Sequence, residues 1–305
     1  MSINNIGFME SISKNINSNI LLLAYRNRTM LTTKSFAANS FMQDEISKDQ
    51  EEVSLYDSLK RTSSTVTYQE EPTLLSTGIS VLDRNLGGGL PAGSVSYFSA
   101  DPRSMSEVFL YQFTQSRRTF YFTTGRRPKF VLNDIINLGF DPSNIIFVDV
   151  YSEYYFSACG EMSENVGNEY IDSKIIEFTE YNLRNIANDS TGEEINLIID
   201  SFSFYMNLRV NPGLIRQLTN VIYEVTKEIQ CLTHLYGHKG STPEKMGNEV
   251  FATVDVIFES SLETSSDKLV SKLAIPKIRG MVPSPELIKF KIGEGVQIDT
   301  SRDIA

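Results

Sequence analysis

Four residues set the chemical question: Ala100, Met105, Ser106 and Glu107, spaced across a segment that leaves an apolar strand at Val95–Ser99 and enters a helical pattern running from Ser106 to about Ser116. A loop that cradles a triphosphate at such a junction reads G-x-x-x-x-G-K-[ST]. Its glycines let backbone N–H groups approach the phosphates, its lysine neutralises them and its hydroxyl holds magnesium. Here neither glycine is present, Ser106 carries no charge and Glu107 carries the opposite one. A carboxylate beside a triphosphate adds repulsion of about 4 kcal/mol at about 4 Å for an effective dielectric near 20. Ser104-Met-Ser-Glu107 fits another pattern, S-x-x-E ahead of an apolar helix. This predicts a capping box in which Ser104 and Glu107 exchange bonds with each other's backbone N–H groups, with a substitute magnesium ligand as the alternative role for Glu107.

The elements around this loop alternate. Strand patterns at Thr119–Thr124, Ile145–Val150, Ile195–Asp200 and Leu232–Tyr236 are separated by helical stretches at about Lys129–Leu138, Ile171–Ile186 and Leu214–Ile229. The last repeats apolar residues with a period of 3.6. Such alternation predicts an α/β fold with a mainly parallel central sheet and helices on both faces. Beyond Thr253 the pattern becomes strands alone: Thr253–Ser260, Lys268–Ile278, Leu287–Ile292 and Gly295–Asp299. These are expected to form an antiparallel extension at the sheet edge.

Residues 1–72 read as a flexible extension and linker, residues 73–300 as one domain and 301–305 as a tail. Within the extension, Ser11 to Gln43 carries Lys14, Arg26, Arg28 and Lys34 and no acidic residue, a pattern shared by organellar transit peptides and by plain disordered tails. The chain has 305 residues, 41% of them hydrophobic, with a formal net charge of −10. That balance disfavours nucleic acid and anionic membrane as partners. No apolar run approaches the roughly 20 residues that cross a bilayer. Cys159 and Cys231 are far apart, with neither zinc-site nor disulfide spacing, so the expectation is a cytoplasmic protein without a metal centre. His234 is expected to be a packed strand residue and His238 a loop residue.

The run Leu75-Ser-Thr-Gly-Ile-Ser-Val-Leu-Asp-Arg-Asn-Leu-Gly-Gly-Gly-Leu-Pro-Ala-Gly-Ser94, followed by a strand and a loop opening a helix, resembles the start of RecA-fold ATPases of the archaeal-type KaiC-like family. Ile195-Asn-Leu-Ile-Ile-Asp200-Ser201 is similar to that family's Walker B strand, and Lys277-Ile-Arg279-Gly280 to its K-x-R-G turn. The resemblance implies the RecA-like P-loop NTPase fold over about three quarters of the chain. It makes Ala100, Asp101, Pro102, Arg103, Ser104, Met105, Ser106, Glu107 and Arg126 the nucleotide crevice, with Walker A degenerate, and it makes Asp200 a vestigial magnesium-orienting acid. Family members place two acidic residues after the second strand, one of which activates water; those positions read Gly125 and Arg126.

What the resemblance implies, taken with these losses, is a pseudo-ATPase acting as a regulatory or assembly subunit. Homo- or hetero-oligomers with RecA/KaiC-like protomers would be its partners, and Lys277 and Arg279 could serve a neighbour's phosphate in trans. No cofactor is required; residual ATP or ADP with magnesium is the most such a loop would hold. The alternative is an ATP hydrolase in which Arg103 or Arg126 replaces the lysine and Asp200 and Glu107 hold magnesium. A third reading is a DNA-recombination accessory protein. Arg103, Arg126, Arg127 and Lys129 are expected around the crevice, either converging on an anion, or solvated, or paired with Glu107 and Asp101.

Overall fold

The structure, a computed structural model, describes residues 73–299 apart from 158, 165, 266–267, 284–286 and 294. The expected extension 1–72 and tail 301–305 lie outside the described residues.

The central feature is a nine-stranded sheet. In chain order its strands are β3 (Val95–Ala100), β4 (Arg118–Thr123), β5 (Ile145–Asp149), β6 (Ile195–Asp200), β7 (Leu232–His238), β8 (Val256–Ser265), β9 (Lys268–Ile278), β10 (Ile288–Gly293) and β11 (Gly295–Asp299). They lie side by side in the order β11-β10-β9-β8-β3-β7-β6-β4-β5. The six from β8 to β5 run parallel, and β9, β10 and β11 fold back antiparallel. The antiparallel extension thus begins one strand later than the sequence pattern suggests. β8 pairs in parallel with β3, Ser96 opposite Val256, before turning into the hairpin with β9.

Every residue of β3 is buried, and β6 is buried except at its last residue, because helices cover both faces. One face packs under α2 (Glu107–Phe113) and α3 (Pro128–Asn137), with Phe98, Phe109, Phe113, Tyr121 and Phe258 at its centre. The other lies under α5 (Glu169–Asp189), α7 (Pro212–Ile229) and α8 (Glu244–Thr253), around Phe122, Leu197, Leu218 and Ile222. α7 shows why the sequence folds as it does. Pro212 stands at the first helical position, Asn211 accepts the Gly213 N–H as N-cap, and Ile215, Leu218, Ile222 and Val225 form the buried stripe. Among the elements that sequence periodicity did not foresee are α4 (Val150–Tyr155), α6 (Ser203–Met206) and α8. The first two are too short for a helical period to declare itself, and α8 carries Gly247 and two charged residues in its first turns.

A small antiparallel pair, β1 (Leu74–Leu75) with β2 (Leu90–Pro91), brackets α1 (Ser80–Asn85). Asp83 on α1 accepts bonds from the Ser76 hydroxyl, the Thr77 N–H and the Thr77 hydroxyl. Gly89 passes so close to β1 that a Cβ would sit 2.2 Å from the Leu75 carbonyl oxygen. The S-T-G and G-G-G signatures therefore close this clip against the domain.

His234 lies fully inside, its Nδ1 2.7 Å from the Ser96 hydroxyl and its ring 4.4 Å from that of Phe113. Burial, helped by the positive charge of Arg117, lowers its pKa from 6.5 to about 3. The unfolded chain takes up a proton that the folded one refuses, so this residue's contribution to stability falls as pH drops from about 6.5 toward 3, by about 1.4 kcal/mol per unit. Asp200, raised by burial, acts in the opposite sense in acid. Between about pH 6.5 and 5, denaturant titration should show wild type losing about 2 kcal/mol more than His234→Leu; equal losses would refute this assignment.

Candidate functional site

The carboxyl ends of β3, β4, β6 and β7 define a crevice, with Ala100 level with His238, Thr123 with Asp200, and Asp200 with Tyr236. Between β3 and α2 runs the loop of residues 101–106. A loop leaving a buried strand here must find acceptors for its N–H groups. The Asp101 N–H donates to the Ser260 hydroxyl at 3.1 Å, the Arg103 N–H to the Asp101 carboxylate at 3.0 Å, and the Ser104 N–H to the Asp101 carbonyl at 2.9 Å. The Arg103 guanidinium also grips the Asp101 carboxylate, through Nε at 3.0 Å and a terminal nitrogen at 2.8 Å. These bonds, foremost those from Arg103, hold the Asp101 carboxyl well below the usual range. The loop thus carries its own anion where a ligand's phosphate would approach.

The capping box does not form. α2 begins at Glu107 with Ser106, not Ser104, in the N-cap position, and Ser106 makes no side-chain cap. Ser104 instead turns its hydroxyl back to the Asp101 carbonyl at 2.7 Å. Three buried hydroxyls, those of Ser104, Ser106 and Ser260, bond one another, with Ser106 donating to Ser260 at 2.6 Å. Met105 is forced to φ 50°, a left-handed conformation uncommon for a residue with a side chain, and that side chain is half exposed. Ala100 is buried, its carbonyl accepting the Lys239 N–H, and Pro102 is exposed.

The floor of the crevice is phenolic. Tyr111, Tyr121 and Tyr236 are all buried. The Tyr121 hydroxyl donates to Asp200 at 2.8 Å, so Asp200 is held by a phenol. Burial raises the Asp200 carboxyl, with the Tyr121 bond and the Arg126 charge opposing that rise. Burial likewise raises all three phenols, and the negative charges of Glu107 and Asp200 push Tyr236 up further. Glu107 stands half-buried beside Tyr236 at the start of α2.

The four cations do not converge. Arg103 pairs with Asp101, Arg126 bonds Asp134 and the Tyr111 hydroxyl, Arg127 lies 3.9 Å above the Phe156 ring, and Lys129 lies 4.9 Å from that of Phe130. Glu107 is left without the arginine partner expected for it. Lys277 and Arg279 are at the opposite end of the parallel strands, where Ile278 pairs with Val256 at the start of β8. There the Lys277 ammonium donates to the Phe251 carbonyl at 2.7 Å, and Arg279 to the Ala252 carbonyl at 3.0 Å, closing the carboxyl end of α8. Among the described residues, no group of three or more His, Cys, Asp or Glu side chains is placed to hold a metal ion. None of the described helices is long and apolar enough to cross a membrane.

Sequence reading missed Ser260 and the three tyrosines. A serine in a strand gives no signal of its own, and a tyrosine in a strand reads as an ordinary β-former.

The sheet order and the loop between β3 and α2 define a KaiC-like, RecA-type fold. The crystal structure of a KaiC-like protein from the hyperthermophilic archaeon Pyrococcus horikoshii OT3 superposes with a TM-score of 0.59 at 19% identity, covering 75% of this chain and 100% of that one. The chain belongs to a family of unknown function, DUF7125, whose model matches residues 74–305. No curated protein matches its sequence.

Ser260 joins β8 to the loop through buried bonds, so Ser260→Ala should lower stability by about 1–3 kcal/mol, read as a drop in the thermal midpoint. An unchanged midpoint would show that the hydroxyl cluster does not hold the loop.

Proposed function

We propose that this chain is a non-hydrolysing KaiC-like protein, a pseudo-ATPase that acts as an assembly or regulatory subunit. The observation that supports this reading most directly is Asp101, whose carboxylate engages the Arg103 guanidinium and backbone N–H within the loop itself. Three further features agree with it. The lysine and hydroxyl positions hold Ser106 and Glu107, the position of a water-activating acid holds Gly125 or Arg126, and Tyr111, Tyr121 and Tyr236 fill the space beneath. A triphosphate would have to displace the Asp101–Arg103 pair and approach Glu107 and Asp200 without a lysine to offset their charge.

The ATP-binding alternative requires Arg103 to leave Asp101, or Arg126 to leave Asp134 and Tyr111. Neither cation is free as the domain stands. Lending Lys277 and Arg279 to a neighbour would in the same way release the carbonyls that end α8. The proposal therefore rests on assembly through the fold and not on a residue supplied in trans. The partners it implies are KaiC-like protomers, of this chain or of a related one, in a cytoplasmic setting.

With ATP and magnesium, the purified chain should release phosphate no faster than its Asp200→Asn variant, and calorimetry should give no heat of ATP binding at micromolar concentrations. Turnover that Asp200→Asn abolishes would overturn the proposal. Magnesium-dependent micromolar binding that Arg126→Ala removes would favour the ATP-binding alternative.

A further inference from the structure

Glu107 opens α2, and Asp200 ends β6 on the sheet face that α2 covers. Each keeps part of its surface open to solvent, although Tyr121, Thr123 and Tyr236 around them are buried. Among the described residues neither carboxylate forms a salt bridge. Their charges act on each other: burial raises the Asp200 carboxyl, and the negative charge of Glu107 adds to that rise. Arg126, whose charge reaches Asp200, directs its bonds to Asp134 and the Tyr111 hydroxyl. The pair is therefore left without a bonded cation.

Two buried polar atoms flank Asp200 without a partner among the described residues. Thr123 is level with Asp200 on the neighbouring strand, so their side chains leave the same face of the sheet. It is 1% exposed, and its hydroxyl bonds nothing. On the other side of Asp200, at the end of β7, the Nδ1 of His238 is also buried and unbonded. Buried polar groups are costly to leave unpaired, so the partner for this hydroxyl is a group from outside the chain. Two carboxylates and a hydroxyl oxygen are three acceptors, and the phenol rings of Tyr121 and Tyr236 on the same face attract cations. An ammonium group brings three donors and a positive charge. A metal ion fits less well, because among the described residues no three His, Cys, Asp or Glu side chains are placed to hold one. An anion meets repulsion from both carboxylates.

We propose that the crevice binds an ammonium group, from a small amine or from a lysine of a neighbouring protomer, against Glu107, Asp200 and the Thr123 hydroxyl. The site takes a cation where a phosphate-binding crevice takes an anion. This inference rests on the non-hydrolysing reading and names what occupies that same site.

Calorimetry of the full chain with 1,4-diaminobutane should show saturable binding at physiological salt, where attraction to exposed carboxylates is largely screened. Glu107→Gln should weaken it about tenfold. Thr123→Val should weaken it several-fold without lowering the thermal midpoint of the amine-free chain, because the hydroxyl it removes has no partner there. A hydroxyl that only holds the fold would do the reverse. Glu224→Gln/Glu228→Gln, exposed carboxylates on α7, should leave binding unchanged. In sedimentation, a monomer that binds the diamine assigns the ammonium to a small molecule. A self-associated chain that the diamine or Glu107→Gln disperses assigns it to a neighbour's lysine. Neither binding nor such dispersal overturns the inference, as does binding that the α7 variant weakens equally. Binding that Thr123→Val leaves intact also overturns it, because the hydroxyl then meets water only. Phosphate release abolished by Asp200→Asn would remove the non-hydrolysing reading; no turnover together with no amine binding removes this inference alone.

Discussion

The domain depends on how the loop after β3 satisfies its backbone at the edge of a buried parallel sheet. Both faces of β3 are covered, so the chain leaving it passes directly from an apolar core to a crevice rim. Unbonded N–H groups there would cost as much as lost hydrogen bonds. In a phosphate-binding loop the ligand accepts them. In this chain the acceptors are internal: the Asp101 carboxylate, the Asp101 carbonyl and the Ser260 hydroxyl. An acceptor supplied by the chain is present whether or not a ligand is, so the loop has a settled conformation of its own.

The crevice follows from that choice. Beneath a loop that carries its own anion, further negative charge is costly unless it is screened or neutralised. The structure meets this by lining the floor with phenols, which are neutral at ordinary pH and whose burial raises them further. Tyr121 bonds Asp200, and Tyr111 bonds Arg126, which in turn reaches Asp134. The polar groups at the sheet edge thus form chains that end on one another. Arg126 illustrates the consequence: a cation at the rim is engaged by its own domain before any ligand arrives.

The fold was largely legible because long periodic elements carry their own signal. α7 announced itself by its apolar stripe, and β6 by the apolar residues Leu197–Ile199 ending in an acid. Local loop chemistry was less legible. Ser104-Met-Ser-Glu107 satisfies the capping-box pattern in one dimension, yet Ser104 turns to Asp101 within a tighter turn and α2 starts at Glu107. The deciding partner, Ser260, lies more than 150 positions away on β8. A spacing rule reads neighbours in sequence and has no access to such a contact. The same limit applied to Asp200, whose phenolic partner Tyr121 comes from a different strand.

The K-x-R-G match shows how one motif can have a sufficient cause within a single chain. Asp255, buried at the start of β8, accepts the Val95 N–H and pairs with Lys227 and Arg279. Arg279 also reaches the Tyr223 hydroxyl and the Ala252 carbonyl, and Lys277 holds the Phe251 carbonyl. Together they join the amino end of β3 to the carboxyl end of α8 and to α7. Desolvation lowers the Lys277 pKa, with the adjacent Arg279 charge adding to it, so these carbonyls offset the cost of packing two cations side by side. Removing Lys277 would take the ammonium donor from the Phe251 carbonyl, and removing Arg279 would take one of the two cations from Asp255. Both residues therefore have a structural reason to be present that requires neither a neighbour nor a nucleotide.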